Sequence, residues 1–247
     1  MRYAVGTGGK RIRPLVCLAS AVAVGGTAED AKYPAAAIEL LHNYTLIHDD
    51  LPAMDNDVER RGQPTVWKKF GEANAILAGD ALLALAYQVA AKAPRNVAAI
   101  VDALGTAGVG VVRGQVEDIS ASALKASNLQ PSTSNLQPSA FNLQPLTVDF
   151  VYRHKTADLF IAAATMGGLA GGGSEADVAT LGDFALNLGL AFQYEDDLLD
   201  GDGLCPREES ERRVRASTDA ALAALTRLPG DTAPLGDLAA RLVGRSV

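Results

Sequence analysis

Apolar residues along this chain fall into long runs divided by short polar or Gly/Pro breaks, a helical rather than a strand pattern. Residues 15–25 form the first predicted helix. Residues 31–48 form the second, with Ala36, Ile38, Leu40 and Leu41 on its buried side. Arg61-Gly62-Gln63-Pro64-Thr65 reads as a turn. Residues 72–92 predict a long helix with Leu77, Leu82, Leu83, Leu85 and Tyr87 in the core and Gly79 permitting close helix packing. Residues 95–120 read as helical but loosened by glycines at 105, 108, 110 and 114. Further helices are expected over 147–170, 175–200, 207–228 and about 233–243, with Ser174 placed to cap the second of these. Pro229-Gly230 stops the penultimate helix. Ala and Leu favour helix, and β-branched runs are few. The expectation is a single all-α domain over residues 1–247, a large helical bundle with a central cavity.

One stretch breaks the pattern. Ser127-Asn-Leu-Gln-Pro-Ser-Thr133 is followed by Ser134-Asn-Leu-Gln-Pro-Ser-Ala140, then Phe141-Asn-Leu-Gln-Pro-Leu146. The period is heptad-length, but a proline in each copy forbids a coiled coil. Three copies are too few for a solenoid. The segment at about 127–146 is expected to be an inserted low-complexity loop without chemistry.

Composition narrows the function classes. A chain of 247 residues is long enough for a sizeable core. The formal charge of −7 argues against nonspecific nucleic-acid binding. Cys17 and Cys205 lack a metal-type spacing, and a reducing, cytoplasmic setting is the default. The longest uncharged apolar run, residues 159–173, falls short of a membrane span, so no stable membrane insertion is expected. No secretory signal is visible at the start.

Candidate chemistry concentrates in residues 42–61. Asp49, Asp50, Asp55 and Asp57 crowd into nine residues, and Arg60 and Arg61 follow at once. Acids this close repel one another unless a cation sits among them. Hard oxygen ligands without nearby Cys point to magnesium, which usually takes one or two carboxylates plus substrate phosphate oxygens. The arginine pair suits phosphate as well, as forks that bond bidentately. The other reading of Asp49-Asp50 alone is a solvated acidic turn.

A second acidic stretch shifts the balance. Residues 189–200 read Gly-Leu-Ala-Phe-Gln-Tyr-Glu-Asp-Asp-Leu-Leu-Asp. Asp196 and Asp200 share a helix face, and Gln193 lies one turn before Asp196. Asp49 and Asp55 are six apart, off any helical repeat, with Pro52 between them. The first cluster is therefore expected where a helix ends and bulges, the second on a continuing helix. Together they suggest two walls of one metal–diphosphate site. Lys10 and Arg13, three apart at a helix start, could add cations to it.

These residues resemble the trans-isoprenyl diphosphate synthases (polyprenyl synthetases). Asp49-Asp50-Leu-Pro-Ala-Met-Asp55 resembles the family's first aspartate-rich motif, in the form with two extra residues between the acids. Residues 189–200 resemble the second. Gly8-Gly9-Lys10-Arg11-Ile12-Arg13-Pro14, residues 114–118 and His154-Lys155-Thr156 are similar to three further motifs. The likeness covers most of residues 1–120 and 150–200, and five motifs in order are highly specific.

The resemblance implies head-to-tail prenyl transfer. Magnesium would bridge Asp49, Asp55, Asp196 and Asp200 to an allylic diphosphate, with Arg60 on the same group. Lys155, Thr156 and Gln193 would lie near the allylic cation. Lys10, Arg13, His42 and Arg61 would hold isopentenyl diphosphate. Gln115 and Asp118 share a face and could support the site or simply pack. Tyr44, five residues before Asp49, would act as floor to the growing chain, as in bacterial farnesyl diphosphate synthases. A homodimer is also implied.

Two departures from the family stand out. Relatives carry roughly another helix before Met1. They also place a lysine-bearing lid after the second motif, and this chain has no lysine beyond Lys155. The competing readings are a geranylgeranyl diphosphate synthase, a noncatalytic modulating subunit, and a terpene cyclase. The intact acidic clusters oppose the modulator, and the basic motif opposes the cyclase.

Overall fold

A computed structural model describes residues 1–126, 148–201 and 205–243 of the chain. The repeat at 127–146 lies outside the described residues. Eleven α-helices carry the described fold. They are α1 (Arg2–Gly6), α2 (Ile12–Ala23), α3 (Lys32–Asp49), α4 (Val66–Phe70), α5 (Glu72–Ala90), α6 (Val97–Ala126), α7 (Val148–Tyr152), α8 (Asp158–Gly171), α9 (Glu175–Asp200), α10 (Arg207–Leu225) and α11 (Ala233–Val243). A π-helical turn, Arg153–Ala157, joins α7 to α8.

Helix α8 lies at the middle of the bundle and packs on α2, α3, α6 and α9. Its sequence is apolar nearly all round, which a helix tolerates only when buried on all sides. Leu159, Phe160, Ala163, Met166 and Ala170 are accordingly shut off from solvent. Helix α9 starts as its sequence asks. Ser174 Oγ accepts from the Asp177 amide at 3.2 Å, and Asp177 answers on the Ser174 amide at 2.9 Å, forming a capping box. Both cysteines are free thiols.

The long helices lie where they were expected, but α6 runs on to Ala126, and the π-turn interrupts the helix expected over 147–170. The short α1 and α4 are additional, and two expected core positions are exposed. Ala36 faces solvent on α3, and Leu77 is 65% exposed on α5. Only neighbouring helices decide which side of an apolar stripe is covered. Leu77 is not alone: Ile76 on α5 and Val109, Val112 and Ile119 on α6 are exposed too. By length and composition α5 and residues 97–120 of α6 could cross a membrane, yet only 28% and 33% of their apolar windows are buried within the chain. The four glycines of α6 do not break it, since it runs without interruption to Ala126.

Candidate active site

The first acidic cluster sits at the end of α3, where Pro52 stops the helix. The chain then folds back: the Asp55 amide donates to the Asp49 carbonyl at 2.9 Å, and the Asn56 amide to Leu51 at 3.1 Å. This closure brings Asp55 over Asp49 despite their separation in sequence. Burial drives the Asp49 carboxyl up to about 7, and the charges of Asp55 and Asp50 push the same way against Lys155 and Arg60. Gln115 of α6 donates to Asp55 at 3.4 Å. His48, just before the cluster, packs against Gly79 so closely that a Cβ there would sit 2.2 Å from its ring. The expected close packing at Gly79 is thus a contact with the helix that carries the acids.

A two-residue hairpin follows, Glu59–Arg60 (β1) pairing antiparallel with Gln63–Pro64 (β2). Its turn residues Arg61 and Gly62 both have positive φ, 54° and 71°, as a type I′ turn requires. The hairpin sends the two arginines different ways. Arg60 donates from Nε at 2.7 Å to the nearly buried Asp50 and pairs from Nη2 at 2.6 Å. Burial would lower Arg60, but Asp50, Asp57 and Asp49 together hold it above its ordinary value. Arg61 turns towards the chain's start and donates to the Gly8 carbonyl at 2.6 Å. A water-sized cavity of about 30 Å³ lies beside Asn43, Asp50, Arg60 and Arg61.

Arg13, in the first turn of α2, donates from Nη1 to Nε2 of His42 at 3.2 Å. If Nε2 accepts, Nδ1 must carry the ring proton. Both that Nδ1 and the Nε of Arg13 are buried without a hydrogen-bond partner. Burial lowers His42 well below the usual histidine value, and Arg13, Arg61, Arg60 and Arg11 add to the shift. Burial likewise takes Arg13 down to about 10. Two unmet donors in a field of arginines call for an anion. Lys10 does not share the helix face with Arg13: α2 begins only at Ile12, and Lys10 is exposed in the approach to it.

The second wall is held through the π-turn. Gly114 of α6 lets the backbone of Lys155 come so near that a Cβ would lie 2.5 Å from its nitrogen. The bulge this close approach accommodates sets Lys155 and Thr156 side by side facing different helices. Lys155 is bonded to Asp118 of α6. Thr156 donates to Gln193 Oε1 of α9 at 2.6 Å, and Gln193 Nε2 donates to Asp197 at 2.9 Å. Asp196 is half-buried beside them, and its charge acts on Arg13. The side chain of Asp200 lies outside the described residues. Asp49 feels Lys155, Asp55 touches Gln115, and Gln193 touches Thr156, so both acidic segments belong to one network.

The donor set suits magnesium. No group of three or more His, Cys, Asp and Glu side chains converges among the described residues to form a closed metal cage. Magnesium rarely uses one; it takes one or two carboxylates and completes its shell with water and phosphate. An aspartate raised to about 7 by burial and like charges is one that a cation would return to its ionised form.

A family model described as "Polyprenyl synthetase" matches residues 1–210. The chain belongs to the polyprenyl synthetase family. It is 43% identical over 211 residues to the heterodimeric geranylgeranyl pyrophosphate synthase large subunit 1, chloroplastic, of Arabidopsis thaliana, covering 81% of this chain and 53% of that one. It is 42% identical over 209 residues to the chloroplastic geranylgeranyl pyrophosphate synthase of Capsicum annuum, covering 81% and 52%. The chain thus spans about half the length of these curated relatives. Among solved structures it is similar to a geranyltransferase from Legionella pneumophila, with TM-score 0.82, 34% identity and coverage of 99% and 86%. An FPP/GFPP synthase from Zymomonas mobilis gives 0.80, 33%, 96% and 84%. These likenesses establish the isoprenoid synthase fold.

Within this polyprenyl synthetase the structure draws together Arg13, His42, Asp49, Asp55, Lys155, Thr156, Gln193 and Asp196. It leaves Lys10 at the surface and ties Arg60 to Asp50. Tyr44 is half-buried, its ring 4.9 Å from that of His48, with burial and Asp49 raising its phenol. The sequence places Gln193 one turn before Asp196, and the bond it makes runs to Asp197, one full i,i+4 step on. The sequence assigned no role to Arg11, held by Glu39, or to Glu39 itself, which accepts from Asn43 at 3.1 Å. The Gln193–Asp197 spacing was a legible signal. The Arg11–Glu39 pair was not, because it joins the N-cap residue of α2 to a separate helix, α3.

Proposed function

We propose that this family member condenses isopentenyl diphosphate with dimethylallyl or geranyl diphosphate, head to tail, to give farnesyl diphosphate. The observation that carries the reading is the pairing of two acidic segments with a separate arginine–histidine pocket that has unmet donors. One wall suits a metal-bound allylic diphosphate; the pocket suits a second diphosphate. A terpene cyclase needs only the first.

Asp49, Asp55, Asp196 and Asp200 would hold the allylic diphosphate through magnesium, which when bound neutralises charge on the leaving group. Arg13, His42 and Arg61, with Lys10 at the rim, would hold isopentenyl diphosphate so that its double bond meets the allylic carbon. Lys155, Thr156 and Gln193 lie where charge changes as the allylic C–O bond breaks. The electron pair of that bond leaves with the diphosphate. After C–C bond formation, the departed diphosphate takes the proton, since no side chain stands out as a base. Arg60 reaches the diphosphate only to the extent that Asp50 shares it.

Tyr44 supports the fifteen-carbon product, because a ring fixed against His48 on α3 suits a pocket floor. The geranylgeranyl reading draws on the relatives named above, whose names are those of geranylgeranyl synthases. The exposed apolar faces of α5 and α6 support a homodimer, since a second copy would cover them. Free thiols support a cytoplasmic setting.

The test is incubation of the purified chain with magnesium, isopentenyl diphosphate and geranyl diphosphate, then product chromatography. Farnesyl diphosphate should form in the wild type and fall by at least about 100-fold in Asp49→Ala and Asp196→Ala. A folded wild-type chain that gives no prenyl product would remove the reading in favour of a modulating subunit. Sedimentation at micromolar concentration that shows only monomer would remove the dimer.

A further inference from the structure

We infer that Asp197 and Tyr152 are positioning residues that fix the polarity of Gln193 and Thr156 towards the reacting carbon. The inference rests on the prenyl-transfer reading above. An amide side chain has a donor end and an acceptor end of nearly the same shape, so something must choose which end faces Thr156. Asp197 makes that choice. An ionised carboxylate only accepts, so the amide nitrogen of Gln193 must turn to it, as the 2.9 Å bond records. That leaves Oε1 of Gln193 for Thr156, at 2.6 Å.

The consequence falls on Thr156. Its hydroxyl has one proton and two lone pairs. The proton is committed to Gln193, so the group has only lone pairs to offer a neighbour. Oxygen lone pairs attract the positive charge that forms on the allylic carbon as the C–O bond breaks and its electrons leave with the diphosphate. With the amide reversed, Gln193 would donate to Thr156, and the threonine would be released to turn its positive end into the site. The polarity is preset and needs no rearrangement during reaction, which is where such dipoles are worth most.

Tyr152 keeps Asp197 in place. Its phenol donates to the second carboxylate oxygen, so Asp197 is held from two sides. Tyr152 is itself 4% exposed and packs edge-on against Tyr194, ring centroids 4.9 Å apart. Tyr194 in turn accepts from Arg213 Nη1 at 3.0 Å. A chain of contacts thus runs from α10 through α9 and α7 to the π-turn. Asp197 touches Gln193 rather than the reacting atoms, which makes it a positioning group.

The test compares two unreactive ligands in the presence of magnesium: an allylic diphosphate analogue with an ammonium nitrogen near the reacting carbon, and its neutral carbon isostere. Wild type should bind the ammonium analogue more tightly. In Asp197→Asn, whose amide can donate as well as accept, both orientations of Gln193 become satisfiable. The ratio of the two dissociation constants should fall about tenfold, with the neutral isostere bound as before. Tyr152→Phe keeps the ring and should lower the ratio less, in the same direction. A loss of packing or of metal would weaken both ligands equally. An unchanged ratio in folded Asp197→Asn, or in Tyr152→Phe should the first not fold, overturns the inference alone. Wild type that binds neither analogue overturns the prenyl-transfer reading and this inference with it.

Discussion

Nη1 of Arg13 lies 3.2 Å from Nε2 of His42, so a guanidinium holds an imidazole in its neutral form at the junction of α2 and α3. Burial and four arginines depress the His42 pKa well below 6.5. A depressed histidine favours the folded state at high pH. Its contribution is complete above the unfolded value of about 6.5 and is lost as pH falls below it, because the unfolded chain takes up the proton first. Thermal melts should therefore decline between pH 7 and 5, and His42→Gln should decline less. Added diphosphate should reduce the wild-type decline by offsetting the arginine charge. Parallel melting curves for both proteins would remove His42 as the cause.

Arg60 and Asp50 make a second prediction. Removing the arginine leaves a buried carboxylate without its partner, while removing both charges does not. Arg60→Gln should cost about 1–3 kcal/mol of unfolding free energy in urea titrations. The double variant Arg60→Gln/Asp50→Asn should recover most of it. If the single variant is as stable as wild type, Arg60 is not held by Asp50 in solution and is available to substrate.

Gly114 offers a steric test of the π-turn. A Cβ there would lie 2.5 Å from the Lys155 nitrogen, a backbone atom that cannot swing aside. Gly114→Ala should destabilise by about 1–3 kcal/mol, roughly 2–12 °C for a chain of this size. Turnover should fall further than stability, because Lys155 and Thr156 move with the turn. Gly62→Ala serves as the control, since a Cβ at Gly62 meets nothing within 4 Å and strain there comes from φ alone.

Tyr44 is the candidate for the limit on chain length. Its ring packs on His48 and stands five residues, about 7.5 Å of helix, before Asp49. Tyr44→Ala should shift product towards twenty carbons or longer, read by chromatography of the hydrolysed products. A wild type that already makes mainly the twenty-carbon product, or a variant with the same length distribution, would move the floor elsewhere.

The sequence by itself determined the helical class, the places of the long helices, the Ser174 cap and the break of the first acidic motif at Pro52, while the short helices α1 and α4 and the π-turn left no such pattern. The determined features are local: apolar periodicity, hydroxyl caps and proline act over one or two turns, so the residues that cause them adjoin the result. The sequence also singled out Asp49, Asp55, Asp196 and the arginines near them as candidates for the chemistry, since acids packed this closely repel one another unless a cation sits among them.

Only the tertiary structure decided how those charges pair. Arg60 goes to Asp50, Lys155 to Asp118 and Arg11 to Glu39. All three join residues from different elements, and no periodicity encodes them. The same holds for Leu77, apolar yet exposed, and for Lys10, left outside the helix that buries Arg13. Which side of a helix is covered depends on its neighbours, and pairing energies depend on burial. Both quantities come into being only when the helices meet.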